Sequence, residues 1–260
     1  MLSIREYGET TIKLTHHVIS VEGLPIHYQV VGRGEPIILV HGLSGSTRWW
    51  NRNVFTLAER YQVYEIDLPG FGSMRRFSRH FILTNAASWL LQWMEAIHVQ
   101  QAHFIGHSMG GYICIRLAAH RPQAVRRLVL VSPAGLPTGR SLPGYFVPLM
   151  VSMRYMKPSF LPILFIDGLK AGPRTLLHAA RDLLTQDVQE DLKLITAPTL
   201  LIWGENDALV PPIFGEILHK EIAHSSLHIL KKAGHVGMFD SPHEFNATVL
   251  KFLAGEVEDQ

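Results

Sequence analysis

A serine flanked by glycines, Gly106-His107-Ser108-Met109-Gly110, follows the apolar run Ala102–Ile105 and opens a helical pattern. A serine hydroxyl is a weak nucleophile, so chemistry there requires it to be held exposed and beside a base. A tight strand-to-helix turn does the holding, and the flanking glycines remove Cβ atoms that would collide in it. The same turn leaves the Met109 amide at a helix N-terminus, where it can stabilise a developing oxyanion. The bland alternative is a glycine turn with an incidental serine; the strand-helix context favours the chemical reading. A second oxyanion donor is expected in His41-Gly42-Leu43-Ser44-Gly45, just after the run Pro36–Val40, and Leu43 is its candidate.

Such a serine needs a base and an acid. The chain has 15 histidines, so position must choose among them. His235, in Lys232-Ala233-Gly234-His235-Val236-Gly237, occupies the loop after the last apolar run and is the expected base. Asp207 follows the run Thr199–Trp203 and is the expected carboxylate that fixes the imidazole tautomer, with Glu205 its nearest rival. The order Ser108, Asp207, His235 differs from those of the two serine-protease templates. His41 is read as structural, and Asp67, in Asp67-Leu68-Pro69-Gly70-Phe71-Gly72, as a bonder of backbone amides. Cys114 lies in an apolar helix and is read as core.

The elements that must position these groups are legible as alternating patterns. His17–Val21 and Ile26–Val30 flank a turn-rich gap and predict an antiparallel hairpin. Pro36–Val40, Val63–Ile66, Ala102–Ile105, Leu128–Val131 and Thr199–Trp203 are short continuous apolar runs, as in strands covered on both faces. Leu227–Leu230 is a last, more alternating one. Ala87, Leu90, Leu91, Met94 and Ile97 keep helical spacing, and Met109–His120 and Pro242–Leu253 also predict helices. Strands alternating with helices imply a mostly parallel sheet, with chemistry in loops beyond the strands' carboxyl ends. From Gly135 to Ile195 the alternation stops, which predicts a helical insertion.

Composition narrows the function. The 260 residues are 47% hydrophobic and 18% charged, which suits a globular chain with a sizeable core. A net charge of +2 without long basic runs argues against nucleic acid as partner. One cysteine allows no intrachain disulfide. No apolar leader opens the chain, and Ser141–Ile166 is interrupted by Arg154, Lys157, Pro158 and Pro162. Its uncharged pieces are short of the roughly 20 residues a membrane span needs. No integral membrane segment is expected, and the expected location is cytoplasmic. No metal and no cofactor are expected, since H-E-x-x-H, C-x-x-C and a dinucleotide-binding glycine pattern are absent.

Four ordered motifs now stand together: His41-Gly42, Asp67-x-Pro69-Gly70-x-Gly72, Gly106-His107-Ser108-Met109-Gly110-Gly111, and Asp207 with Gly234-His235. On these the chain resembles the α/β-hydrolase superfamily over about residues 18 to 255, in its small capped esterase, lipase and C–C hydrolase branch. The resemblance implies an α/β fold with an eight-stranded, mostly parallel core sheet. It also implies a helical cap between the sixth and seventh strands. The expected domains are a core of residues 1–134 and 196–260 and a cap of 135–195. Members with an aspartate nucleophile are disfavoured by Ser108. The continuation Ser73-Met74-Arg75-Arg76 departs from the proline-rich loop of many relatives, which concerns contacts facing the cap.

Substrate clues come only from the insertion. Phe146, Met150, Met153, Met156, Phe160, Leu161, Leu164 and Phe165 form an apolar, adaptable set. The expected pocket takes Phe146, Met150, Met153, Phe160 and Leu164 from it, with Val210 and Val236 from the core. Plain packing of insertion onto core is the competing reading. The expected partner is a small, hydrophobic ester with a short-to-medium acyl chain, and the expected assembly is a monomer or homodimer. Alternatives are a C–C bond hydrolase, whose substrate carboxylate would need Arg48, Arg154 or Arg174, a perhydrolase or lactonase, and a slow-turnover ligand receptor.

Overall fold

Short apolar runs punctuated by glycine and proline become paired strands in the computed structural model, which describes residues 4–7 and 10–256. An outlying hairpin pairs β1 (Ile4–Tyr7) with β2 (Thr10–Lys13). The main sheet contains β3 (Thr15–Val21), β4 (Leu24–Gly32), β5 (Pro36–Val40), β6 (Gln62–Ile66), β7 (Ala102–His107), β8 (Val125–Val131), β9 (Thr199–Gly204) and β10 (Ser225–Leu230). Its order is β3-β4-β6-β5-β7-β8-β9-β10. The β3–β4 and β4–β6 pairs are antiparallel, and every later pair is parallel. This is the α/β-hydrolase fold.

Strand alternation divides the core into two layers. Ile38, Val40, Phe104, Leu128, Leu130, Leu201 and Trp203 face one side, with α2 (Ala86–Ala96) and α3 (Met109–His120). Ile37, Leu39, Ile105, Val129, Val131, Leu200 and Ile202 face the other, with α1 (Val54–Leu57) and α10 (Pro242–Leu253). Central strands buried on both faces explain the unbroken apolar runs. The bounds of α3 and α10 coincide with the sequence expectation. The hairpin gap is shorter than expected: Glu22 and Gly23 carry positive φ of 51° and 80°, and Leu24 and Pro25 join β4. Two positive φ values suit a two-residue hairpin turn. Pro25 pairs with β3 beyond the β6 register, where its missing N–H breaks no second ladder.

Between β8 and β9 the described chain forms helices and no strand: α4 (Phe146–Tyr155), α5 (Leu161–Ala171), α6 (Pro173–Leu184) and α7 (Gln189–Leu192). This β8–β9 segment packs on loops at the carboxyl ends of the parallel strands. The Phe160 ring lies 5.1 Å from that of Trp49 and 4.7 Å from that of Phe239. Two short core helices complete the set, α8 (Ile213–Glu221) and α9 (Gly237–Asp240), the latter just after the candidate base. Among the described residues no helix is long and apolar enough to cross a membrane.

Candidate active site

Ser108 stands at the junction of β7 and α3 with φ 51° and ψ −115°, a region a serine enters only under constraint. The constraint is visible in the backbone. The Ser108 amide donates to the Val131 carbonyl at 3.0 Å, and its carbonyl accepts from the Tyr112 and Ala134 amides, each at 3.0 Å. Close approach also explains the glycines. A Cβ on Gly106 would lie 2.6 Å from the Gly110 carbonyl oxygen, and one on Gly110 would run into the Val40 carbonyl. The turn is therefore compressed between β7, α3 and the end of β5.

The loop after β5 comes up beside it. A Cβ on Gly42 would sit 2.7 Å from His107 Nδ1 and 3.1 Å from Ser108 Cβ, so Gly42 is in contact with the serine and its predecessor. Leu43, next in the loop, is half-buried. Met109 is the first residue of α3, where an amide has no intrahelical acceptor. The two candidate donors thus come from loops that meet at Ser108. His41 is occupied elsewhere: its Nδ1 hydrogen donates to the Gly42 carbonyl at 2.9 Å, and its Nε2 accepts from the Leu68 amide at 3.0 Å. Burial pushes its pKa down, which keeps the ring neutral and suits this pairing. Asp67 accepts from the Thr47 amide at 2.8 Å and the Ser73 amide at 2.7 Å.

Asp207 and His235 meet across 28 residues. The His235 Nδ1 hydrogen donates to Asp207 Oδ2 at 2.8 Å, and both residues are buried. Asp207 Oδ1 accepts from the Leu209 and Val210 amides at 3.0 Å each, so the carboxylate is held from both sides. Engagement of Nδ1 leaves Nε2 as the ring nitrogen open to proton transfer. Among the described residues the Ser108 hydroxyl makes no hydrogen bond to that ring in this conformation. Such catalytic contacts often tighten only when substrate is bound. Glu205 points elsewhere, accepting from Lys231 Nζ and the Lys232 amide at 3.1 Å each. The Lys232 amide and Lys231 ammonium hold its carboxyl below the usual range.

Two contacts at the site carried no signal in the sequence. His107 Nε2 donates to the His235 carbonyl at 2.9 Å, and the two rings lie 4.8 Å apart. Burial holds the His107 pKa well below the usual value, so the ring is neutral and braces the loop of His235. Asp240 accepts from the Gly234 amide at 3.1 Å and from the Lys157 amide at 2.9 Å. It joins the same loop to the β8–β9 segment. Another buried carboxylate, Asp167 of α5, accepts from Ser46 Oγ at 2.7 Å and Arg48 Nη1 at 3.1 Å. Only the position of Ser46, close after the Leu43 loop, could have hinted at it.

The expected pocket residues do not converge. Phe146 and Met150 face outward from α4, because that helix turns Ser152 inward. Phe160 is wholly buried in packing between Trp49 and Phe239. Met153 and Leu164 are half-buried against the second core layer, Val210 is half-buried beside Asp207, and Val236 is buried next to His235. Of the three arginines, Arg48 is paired with Asp167, and Arg154 and Arg174 are exposed. Cys114 is buried, and desolvation raises its thiol pKa, which leaves it unreactive. Among the described residues no group of three or more His, Cys, Asp or Glu is arranged to hold a metal.

A model of the alpha/beta hydrolase family matches residues 37–248. The chain is 30% identical to an uncharacterized hydrolase, YugF, of Bacillus subtilis, over 90% of this chain and 96% of that protein. It is 29% identical to a 2-hydroxy-6-oxononadienedioate/2-hydroxy-6-oxononatrienedioate hydrolase of Pseudomonas putida, over 88% of this chain and 92% of that one. Among solved structures it superposes on a bacterial membrane phospholipase A described as a virulence factor. The TM-score is 0.82 at 28% identity, covering 93% of this chain and 86% of the other.

Proposed function

Because the chain belongs to the alpha/beta hydrolase family, we propose that it is a serine hydrolase of carboxylic esters with hydrophobic short-to-medium acyl chains. The observation that carries this reading is the Asp207–His235 pair at 2.8 Å, with the His235 carbonyl bonded to His107, the residue before a serine held at φ 51° on a strand-to-helix turn. In the proposed mechanism His235 Nε2 takes the Ser108 hydroxyl proton as Oγ attacks the ester carbonyl. The Leu43 and Met109 amides stabilise the oxyanion. His235 returns the proton to the leaving alcohol, and the acyl group stays on Ser108. A water then gives its proton to Nε2, attacks the acyl carbon and frees the acid. Asp207 keeps the imidazole in the right tautomer and stabilises its cation. We assign residues 135–195 as a cap over this site.

The test is a p-nitrophenyl ester series run on the wild type and on Ser108→Ala together. Butyrate to octanoate should exceed acetate, and the variant should lose at least roughly 10³-fold in kcat while folding normally. Retained activity in the variant would remove Ser108 from the mechanism, and a strong acetate preference would remove the acyl assignment. One observation favours a second reading, C–C bond hydrolysis: the resemblance to the Pseudomonas putida dienedioate hydrolase. Against it, Arg48 is already spent on Asp167. Faster turnover of a vinylogous diketone acid than of any simple ester would decide for it.

A further inference from the structure

Helices α4 and α5 are built inside out. The residues of α4 run Phe-Val-Pro-Leu-Met-Val-Ser-Met-Arg-Tyr, and the position it buries fully is Ser152. Phe146, Val147, Leu149, Met150 and Val151 are exposed, the first two by two thirds of their surface. In α5 the buried positions are Asp167 and the small Ala171, with Leu161, Ile163 and Leu164 half-buried, while Phe165, Ile166 and Leu169 are exposed. An ordinary surface helix does the reverse, and large apolar side chains gathered outward mark a surface made for a partner.

Charge says which partner. From Ser141 to Gly172 the one acidic residue is Asp167, and it is buried against Ser46 and Arg48. Arg154, Lys157 and Lys170 in the same stretch are all exposed. This stretch therefore exposes apolar and basic side chains and no acidic one. A second copy would fit it poorly, since symmetric pairing would bury these cations against a stretch that offers no exposed acid. A lipid surface fits: apolar side chains enter the boundary between headgroups and acyl chains, and Lys and Arg meet anionic phosphates. We propose that the exposed face of α4 and α5 docks on the anionic surface of a lipid bilayer, lying on it rather than crossing it.

Co-sedimentation with vesicles tests this, using phosphatidylcholine alone and phosphatidylcholine mixed equally with phosphatidylglycerol. Three cations at about fivefold each predict partitioning on the order of 100-fold stronger on the anionic vesicles, weakening as salt is raised. Val147→Asp combined with Leu169→Asp should reduce that binding at least roughly tenfold. Both positions are exposed and outside the proposed catalytic machinery, so hydrolysis of a water-soluble ester should be unchanged, which also shows that the variant folds. Ser108→Ala should bind vesicles like the wild type, so failure of the ester-hydrolase reading leaves this one standing. The proposal is overturned by absence of binding to either vesicle, by equal binding to both, or by full binding of the double variant. Concentration-dependent self-association without lipid binding would give the face to a second copy instead.

Discussion

Glu65 makes the stability of the protein depend on pH in a direction opposite to that of most carboxylates. It sits on β6 between Gln29 of β4 and Leu39 of β5, almost fully buried, and its Oε1 has no hydrogen-bond partner among the described residues. Burial, with the charge of Asp67 adding to it, raises its pKa from 4.5 to about 8. Between those values the folded chain keeps a proton that the unfolded chain has lost. Its contribution to stability is therefore full below about pH 4.5 and falls as pH rises, by about 1.4 kcal/mol per unit, until the group ionises in the folded state near pH 8. From pH 6 to pH 8 the loss is about 2 kcal/mol. Glu65→Gln keeps the shape of the protonated acid but has no proton to lose. Urea unfolding of both proteins at pH 6, 7 and 8 should show the variant gaining on the wild type by that amount, a relative midpoint shift of roughly 1 M. Burial lowers the pKa of His41, His103 and His107, so their contributions are present above the ordinary histidine range and lost as pH falls. These terms are common to both proteins and cancel in the difference. A wild-type-minus-variant gap that stays constant from pH 6 to 8 would mean that Glu65 is already ionised, and the burial argument would fail.

Two further substitutions test how the loops around Ser108 are held. Asp240→Asn puts an amide where the Gly234 and Lys157 N–H groups need acceptors, and should lower kcat by roughly 10- to 100-fold with little change in KM. A change confined to thermal stability would make Asp240 a packing residue only. Gly42→Ala places a Cβ 2.7 Å from His107 Nδ1 and 3.1 Å from Ser108 Cβ, so the loop must retreat. Its kcat/KM should fall by about 10²-fold as the Leu43 amide moves off the oxyanion, and wild-type kinetics would show that this loop supplies no donor.

The strands were legible because β5, β7 and β9 are buried on both faces, and such burial leaves unbroken apolar runs in the sequence. The candidate residues Ser108, Asp207 and His235 were legible for a related reason: each lies in the segment that opens after a strand whose end is readable. Helix α8 was missed because Gly215 interrupts its pattern; a Cβ there would stand 2.9 Å from the Trp203 ring, so the glycine serves packing rather than turning. The outward direction of α4 was missed for a different reason. A helix apolar on nearly every side has no periodic signal to say which face is covered, and the pocket expected from Phe146 and Met150 fell with it. Asp167 and the link from Asp240 to the β8–β9 segment were missed because Ser46 and Lys157 lie 121 and 83 residues away, where no local pattern reaches.

Those two carboxylates bear on how the segment and the loops move together. Asp167 binds Ser46, close after the Leu43 loop, while Asp240 joins the amide before His235 to the Lys157 amide that follows α4. Lifting α5 from the core must break the Ser46 and Arg48 contacts of a buried anion, which is costly unless water or another cation replaces them. Displacing the end of α4 pulls on Asp240, and through it on the loop that carries the imidazole. These are the same two helices that turn their apolar side chains outward. The two helices are thus tied to the segment after the Leu43 loop through one carboxylate and to the His235 loop through the other. Through the Asp167 bonds to Ser46 and Arg48, α5 is tied to the segment after β5, whose Gly42 lies against Ser108.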